Sequence, residues 1–274
     1  MVSEYLKPKT LDEALSALAD AASVALAGGT WLLVGEEHGI RPDLGRVVDV
    51  GELVSALVER KDGIARIGAG ATFQAIADSP SLPDSVRRAA LSMANRNTRN
   101  RATLGGNLGA DKSCASLVPV LLALDASVEY AVRSADGKAV TKTAPLAAWL
   151  DAKEGLVLAV AFATPPGLKS ASGRASRTAC DVATATVGVA YRLEGGAVMA
   201  LKIAMGGFGP HARRMPKLEA LFEGKALPSK AEVEKAVEPL LGAISDQRGS
   251  ADYKRRRGAV ILADALAGAT EVTA

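Results

Sequence analysis

The stretch that decides the fold is Arg99-Asn100-Arg101-Ala102-Thr103-Leu104-Gly105-Gly106-Asn107, near the middle of a 274-residue chain. A second glycine pair occurs much earlier, in Ala25-Leu26-Ala27-Gly28-Gly29-Thr30-Trp31-Leu32. Each pair lies beside a threonine and near the start of a predicted helix. Because glycine has no Cβ, the N–H groups of such loops can approach an anion closely, and a helix N-terminus attracts it. The two loops together predict a diphosphate site, although either pair alone could be ordinary turn glycine.

Three polar side chains in these loops could add to such a site. The hydroxyls of Thr30 and Thr103 can donate to phosphate or polyol oxygens, and the Asn107 amide can donate and accept at once. Trp31 is bulky for a residue beside a glycine loop, so it could pack in the core or contact the ligand.

A third glycine-rich segment, Ile67-Gly68-Ala69-Gly70-Ala71-Thr72-Phe73, resembles the beginning of a dinucleotide-binding fingerprint after a strand. The third glycine of that fingerprint is absent, since Phe73 takes its place, and no acidic residue follows at the spacing of about 20 residues. We interpret this segment as a strand-to-helix turn.

The composition excludes several classes of protein. The formal charge of +3 with 23% charged residues is too small to indicate nucleic-acid binding, and the basic run Lys254–Arg257 is interpreted as a solvated helix face. Two cysteines, Cys114 and Cys180, cannot hold an iron–sulfur cluster, which needs about four ligating cysteines. The two histidines, His38 and His211, belong to no metal-ligand pattern. With a polar N-terminus and no run of about 20 apolar residues, we expect a cytoplasmic protein.

The periodicity predicts an α/β N-terminal region followed by a different pattern. Thr10 and Glu13 form a capping-box signature before a helix. A shift in composition over Thr164–Arg177 predicts the domain boundary, and strands followed by helices beyond it indicate an α+β second domain. The remaining predicted strands cover 23–26, 46–50, 64–69, 126–132, 156–162, 182–193 and 198–206, and the predicted helices cover 31–34, 72–77, 82–93, 115–124, 217–222, 229–244 and 252–266.

Taken together, the glycine loops resemble those of the FAD-binding (medium) subunit of molybdenum hydroxylases, the family of xanthine dehydrogenase and carbon monoxide dehydrogenase. The Arg99–Asn107 segment is the most specific signature, and Pro119–Ala126 continues it. Arg177–Val182 and Arg248–Tyr253 resemble landmarks of the family's second domain. The resemblance covers nearly the whole chain.

The resemblance implies an architecture and partners. Residues 1–166 would form an α/β FAD-binding domain of two subdomains, and residues 174–274 a small α+β domain with an antiparallel sheet and helices. A small subunit with two [2Fe–2S] clusters and a large subunit with the molybdenum cofactor would complete the complex, as a dimer of heterotrimers. FAD would receive electrons from those clusters and pass them to NAD⁺ or another acceptor.

The residues that the resemblance assigns to FAD share one expectation, which is contact with its diphosphate, ribityl chain or flavin. They are Ala25, Leu26, Ala27, Gly28, Gly29, Thr30, Trp31, Leu32, Met93, Thr103, Leu104, Gly105, Gly106, Asn107, Ser116 and Leu158. Ser116 departs from the family, because many relatives have an aspartate there that binds the ribityl hydroxyls. Asp111 and Lys112 are also unusual in that stretch.

No residue of this chain is expected to act as a catalytic acid, base or nucleophile, since the redox chemistry belongs to the cofactor. Two rival interpretations remain open. One is a self-contained flavin oxidoreductase, which would need a base or a covalent flavin link in this chain. The other is a scaffold subunit that has lost its flavin, an alternative that Ser116 keeps open.

Overall fold

The structure is a computed structural model that describes residues 2–37 and 44–272. His38, which the sequence places in no metal-ligand pattern, lies outside the described residues. The chain begins with a parallel three-stranded sheet of β1 (Val2–Leu6), β2 (Ser23–Leu26) and β3 (Gly45–Asp49), in the order β1-β3-β2. Helix α1 (Leu11–Leu18) connects β1 to β2, and α2 (Leu32–Glu37) follows β2.

The capping signature before α1 is only half confirmed. The Thr10 hydroxyl accepts the Glu13 N–H at 3.2 Å, as the signature requires. The Glu13 carboxylate, however, accepts from the N–H of Lys9 at 2.6 Å, which is one residue before the expected donor. The helix start is therefore predicted correctly even though the reciprocal bond differs.

An antiparallel five-stranded sheet forms the second part of the N-terminal half. Its strands are β4 (Val58–Lys61), β5 (Ile64–Gly68), β6 (Ser127–Arg133), β7 (Ala139–Pro145) and β8 (Leu156–Ala163), in the order β4-β5-β8-β6-β7. Six short helices accompany it, namely α3 (Phe73–Asp78), α4 (Asp84–Leu91), α5 (Arg96–Arg99), α6 (Leu104–Ala110), α7 (Val118–Ala123) and α8 (Leu146–Ala152).

The C-terminal part contains a second antiparallel five-stranded sheet. Its strands are β9 (Lys169–Ala175), β10 (Ala185–Glu194), β11 (Ala197–Gly206), β12 (Arg213–Arg214) and β13 (Thr270–Glu271), in the order β12-β11-β10-β9-β13. The tight turn between β10 and β11 uses Gly195 and Gly196, both with positive φ, as a two-residue hairpin requires. Helices α9 (Pro216–Phe222), α10 (Lys230–Val237) and α11 (Ala251–Ala267) cover this sheet.

Two of the predicted helices have the wrong bounds. The helix expected over 115–124 begins only at Val118, which places Pro119 in the first turn, where its missing N–H costs nothing. The helix expected over 229–244 ends at Val237 and continues as a 3₁₀ turn to Leu240, because Pro239 cannot supply an interior helical N–H. Strand β9 lies inside the Thr164–Arg177 segment, over which the shift in composition predicts the domain boundary.

The basic run at the start of α11 also differs from its expectation. Lys254 is 2% exposed, and its Nζ lies 2.7 Å from a carboxylate oxygen of Asp246. Only part of the run is therefore a solvated face, since Arg256 and Arg257 are exposed. The ion pair fastens the segment before α11 to that helix.

Two hydrophobic clusters form the cores, one in the N-terminal part and one between the C-terminal sheet and its helices. Helix α7 packs against β10 and β11, which joins the two parts. The fold class predicted from the sequence, a two-subdomain α/β domain followed by a small α+β domain, is confirmed. Within the described residues, no helix is both long and apolar enough to cross a bilayer.

Candidate cofactor site

A cavity of about 570 Å³ opens where β2 and α6 meet the C-terminal part. Such a volume lies within the range of ligand sites, roughly 300–1,000 Å³. Fourteen of the sixteen predicted site residues line this cavity: Ala25, Leu26, Ala27, Gly28, Gly29, Thr30, Trp31, Leu32, Met93, Thr103, Gly105, Gly106, Asn107 and Ser116. The two glycine loops therefore converge on one space.

The first glycine loop, residues 27–31, joins β2 to α2 at an end of the parallel sheet. Gly29 has φ +73, a left-handed conformation that glycine adopts without strain. The four backbone N–H groups from Gly28 to Trp31 have no hydrogen-bond acceptor among the residues that the structure describes. Because unpaired consecutive N–H groups in a turn bind anions, this loop can hold a phosphate.

The second glycine loop differs from the expectation that its N–H groups would also face a ligand. The N–H of Leu104 donates to Ala71 O at 3.0 Å, and that of Gly105 donates to Ala69 O at 2.8 Å. The N–H of Gly106 donates to the Thr103 hydroxyl oxygen at 3.1 Å, which caps α6. These three donors are engaged within the protein, so the second loop can serve a ligand through its side chains and by its shape.

The segment that resembles a dinucleotide fingerprint holds this second loop in place. The turn between β5 and α3 supplies the two acceptors, Ala69 O and Ala71 O, and α3 begins with Thr72 as its N-cap. A Cβ at Gly105 would lie 3.0 Å from the Ala69 Cβ and 3.2 Å from its carbonyl oxygen. A side chain at position 105 would therefore crowd the Ala69 segment and force the two segments slightly apart.

The two loops also contact each other directly. A Cβ at Gly28 would lie 1.9 Å from the carbonyl oxygen of Arg101, which is far inside van der Waals contact. Only glycine permits the first loop to approach the backbone that precedes Thr103 so closely. This contact explains how segments distant in sequence form one cavity wall.

Two predicted residues do not line the cavity. Leu104, in the first turn of α6, is fully buried as part of the N-terminal core. Leu158 packs against the same core, and its carbonyl accepts the N–H of Ala69, whereas Leu156 and Val157 before it line the cavity. Their packing leaves neither side chain in contact with the space.

Trp31 lies at the cavity wall and is partly exposed. The Nζ of Lys112 lies 4.7 Å from the centroid of its ring, which is within the range of a cation–π contact. Of the two interpretations that the sequence left open for Trp31, its position favours ligand contact over core packing. Lys112, which is unusual for the family at this position, adds a positive charge at the cavity.

The C-terminal part contributes a wall that the sequence did not predict. Arg174 on β9 and the residues from Cys180 to Ala183 line the cavity. Arg174 donates to the carbonyl oxygens of Ala179, at 3.2 Å, and of Asp181. Burial lowers the pKa of Arg174, although a guanidinium remains charged in any ordinary range of pH. The only signal in the sequence was the resemblance of Arg177–Val182 to a family landmark.

Cys114 also lines the cavity and is partly buried. Burial raises the pKa of its thiol, and the nearby cations Arg248, Lys112 and Arg174 oppose this shift without cancelling it. The side chain is therefore a neutral thiol near pH 7. Cys114 gives the cavity wall a weakly polar surface rather than an activated nucleophile.

Comparisons with known proteins agree with this arrangement. Residues 1–159 match the family described as the FAD binding domain in molybdopterin dehydrogenase, and residues 171–269 match the CO dehydrogenase flavoprotein C-terminal domain. The chain therefore belongs to the FAD-binding flavoprotein subunits of the molybdopterin dehydrogenases, the family of the molybdenum hydroxylases. It is an FAD-binding subunit of an oxidoreductase.

Individual relatives match over most of their length. The xanthine dehydrogenase FAD-binding subunit of Escherichia coli O157:H7 is 32% identical, over 82% of this chain and 80% of the relative. The nicotine 6-hydroxylase medium subunit of Paenarthrobacter nicotinovorans is 29% identical over 91% of each chain. Carbon monoxide dehydrogenase from Hydrogenophaga pseudoflava superposes with a TM-score of 0.85 at 26% identity, covering 99% of this chain and 98% of that one.

Proposed function

We propose that the first glycine loop binds the diphosphate of FAD and that the chain transfers electrons between a partner subunit and a final acceptor. The row of unpaired N–H groups from Gly28 to Trp31 carries this proposal, because these residues line the same cavity as the second glycine pair. A diphosphate would complete hydrogen bonds that the protein leaves open. Gly28 and Gly29 provide the approach path.

Side chains of the second loop complete the proposed binding of FAD. The Thr103 hydroxyl oxygen accepts a helix-capping bond, so its proton remains free to donate to a phosphate or ribityl oxygen. The Oδ1 of Asn107 accepts from the N–H of Leu117 at 3.4 Å, which leaves its amide nitrogen to donate into the cavity. Ser116 supplies a single hydroxyl in place of a carboxylate, a hydrogen bond worth about 1 kcal/mol.

The remaining cavity walls would hold the aromatic parts of FAD. Met93, Trp31 and Leu32 supply apolar surface, and Lys112 and Arg174 supply positive charge at the rim and at the C-terminal wall. The second-loop glycines, Gly105 and Gly106, would shape the wall without donating. FAD, when bound, supplies the redox chemistry, and the residues of this chain bind it, orient it and exclude water.

We further propose the partners that the medium subunits of this family have. A small subunit with two [2Fe–2S] clusters would deliver electrons to this chain, and a large subunit with the molybdenum cofactor would oxidise the substrate, in a dimer of heterotrimers. NAD⁺ or another acceptor would take the electrons. The named relatives support this, since they are subunits of xanthine and nicotine oxidising enzymes. We place the complex in the cytoplasm because the chain has only two cysteines, both free.

We also propose a domain boundary between residues 166 and 174, with the FAD-binding domain before it. Strand β9 begins inside this interval, at Lys169, and pairs with β10, so the boundary falls between residues 166 and 169. The end of β8 at Ala163 supports a boundary in the short segment that follows it.

Co-purification from the native host tests the proposed assembly. A tagged chain should bring down two partners, and the complex should contain FAD, iron and molybdenum in metal and cofactor analysis. A chain that purifies with flavin but without iron and molybdenum would contradict the electron-transfer role. A chain that purifies without flavin, and does not bind added FAD, would contradict the cofactor site itself.

A further inference from the structure

The residues that follow α6, Asp111–Ser116, form a turn along the cavity, which we call the cavity turn. Lys112, Cys114, Ala115 and Ser116 of this turn all line the cavity. Asp111 ends α6 in a left-handed conformation with φ 38, which is uncommon for a residue other than glycine. The position of the cavity turn therefore decides where several cavity residues lie.

The C-terminal part holds the cavity turn from outside. The Ser113 hydroxyl donates to the carbonyl oxygen of Gly209 at 2.6 Å, and the N–H of Gly207 donates to the carbonyl oxygen of Ser113 at 2.8 Å. The Nδ1 of His211 lies 3.2 Å from the carbonyl oxygen of Asp111. The segment from Gly207 to His211, which we call the supporting segment, therefore contacts the cavity turn through three polar contacts.

The buried carboxylate of Asp111 adds an ionic contact to the supporting segment. The Asp111 side chain is 1% exposed, and its Oδ2 lies 2.7 Å from both the Lys153 Nζ and the His211 Nδ1. Lys153 ends α8 of the N-terminal part, whereas His211 belongs to the C-terminal part. Oδ1 has no hydrogen-bond partner among the described residues. The contacts at Oδ2 have the distances of ion pairs but not the angles of hydrogen bonds.

Stability alone does not account for this arrangement. Removing a carboxylate from water is costly, and a buried ion pair often adds nothing beyond what neutral residues of similar volume would give. The side chains of Lys153 and His211 are 42% and 33% exposed, so both can be hydrated without Asp111. The buried carboxylate instead fixes the positions of α6, α8 and the supporting segment relative to one another.

We propose that Asp111, Lys153 and His211 form a clamp between the two halves of the chain and that this clamp positions the cavity turn for cofactor binding. The three residues are positioning residues, because they act through Lys112, Cys114 and Ser116. This inference rests on the proposed FAD site. The two can fail separately. FAD binding by the unmodified chain tests the site, and the change in Kd for FAD in the clamp variants tests the clamp.

The test compares FAD affinity with stability in the full chain. Asp111→Asn removes the charge but keeps a residue that tolerates the left-handed conformation. We expect it to raise the Kd for FAD about tenfold, measured by titration after flavin removal, while the Tm without FAD changes by only a few degrees. His211→Gln should raise the Kd for FAD severalfold, a smaller effect because Lys153 still pairs with Asp111. This variant provides the test if Asp111→Asn does not fold.

Asp151→Asn is the matched control. It breaks a neighbouring ion pair, in which the Arg213 Nη1 lies 3.0 Å from Asp151 and also joins α8 to the C-terminal part. Because this pair does not contact the cavity turn, we expect the Kd for FAD to be unchanged. A wild-type Kd in both clamp variants would overturn the proposal, and so would an equal rise in Asp151→Asn. An unmodified chain that binds no FAD would instead refute the site.

Discussion

Replacing Gly28 by alanine should weaken FAD binding more than an alanine substitution at any other glycine of the two glycine loops. The added Cβ would lie 1.9 Å from the Arg101 carbonyl oxygen, 2.8 Å from its carbonyl carbon and 3.1 Å from the Cα of Ala102. Ordinary contact begins near 3.4 Å, so the first loop must move by about 1.5 Å relative to the second. The φ of Gly28 lies outside the left-handed region, so the effect comes from lack of space alone.

The expected magnitude follows from the atoms involved. Both contacting atoms of Arg101 belong to the backbone, so no side-chain rotation can relieve the overlap. Overpacking of this kind typically costs about 1–3 kcal/mol. If the first loop yields, its unpaired N–H groups leave their positions, and the Kd for FAD should rise about ten- to a hundredfold. If the loop keeps its place, the cost appears as a lower Tm without FAD.

The assay is a titration of flavin-free full-length chain with FAD, accompanied by thermal unfolding. Gly242→Ala is the control, because Gly242 lies outside the cavity and its added Cβ would meet nothing within 4 Å. We expect the control to match the unmodified chain in both measurements. A Gly28→Ala chain with unchanged Kd and unchanged Tm would refute the close approach of the two loops.

Three further perturbations test other parts of the structure. Thr103→Val should weaken FAD binding and lower stability by about 1 kcal/mol, measured by denaturant unfolding, since it removes the α6 cap and a free hydroxyl proton; an unchanged Kd would exclude the hydroxyl from the site. In a variant that keeps Cys114 as its sole cysteine, the thiol should react slowly with iodoacetamide near pH 8, because its raised pKa keeps it protonated. The reaction rate should rise at a higher pH than it does for free cysteine, and a rise at a lower pH would contradict the effect of burial. Lys254→Met should cost about 2 kcal/mol of unfolding free energy, less than for a fully buried pair because the Asp246 side chain is 25% exposed. The exposed Arg256→Met should cost nothing measurable, and equal losses in the two variants would deny that burial matters.

Local signals in the sequence predicted much of the architecture. Strand β2 was predicted at its observed bounds, because a short apolar run that leads into a glycine turn is a local property of the sequence. The edge strand β4 and the short helix α5 were missed, because each has only four residues, which is too short to show a periodic pattern. Strand β9 was not predicted, because Ser170, Ser172 and Gly173 are typical of loops, although the strand pairs with β10 along its length.

The candidate site was predicted less completely for a related reason. The sequence identified two glycine loops, and fourteen of the residues assigned to FAD line one cavity. It did not identify Arg174 or the Cys180–Ala183 segment, because only the packing of the C-terminal sheet against α4 and α7 brings them to the cavity. The local sequence around a residue of the second domain does not show that the residue will line a cavity in the first.

The division of roles between the two glycine loops could not have been predicted from the sequence, since both have paired glycines and a threonine. Whether an N–H group is free depends on acceptors elsewhere, and here Ala69 and Ala71 occupy the donors of Leu104 and Gly105. The first loop leaves the parallel sheet without such neighbours, so its donors stay open. The second loop therefore acts as the rigid support against which Gly28 packs. It follows that substitutions in the first loop should change the affinity for a diphosphate directly, whereas substitutions at Gly105 should act through the Ala69 contact and lower the stability of the flavin-free chain as well.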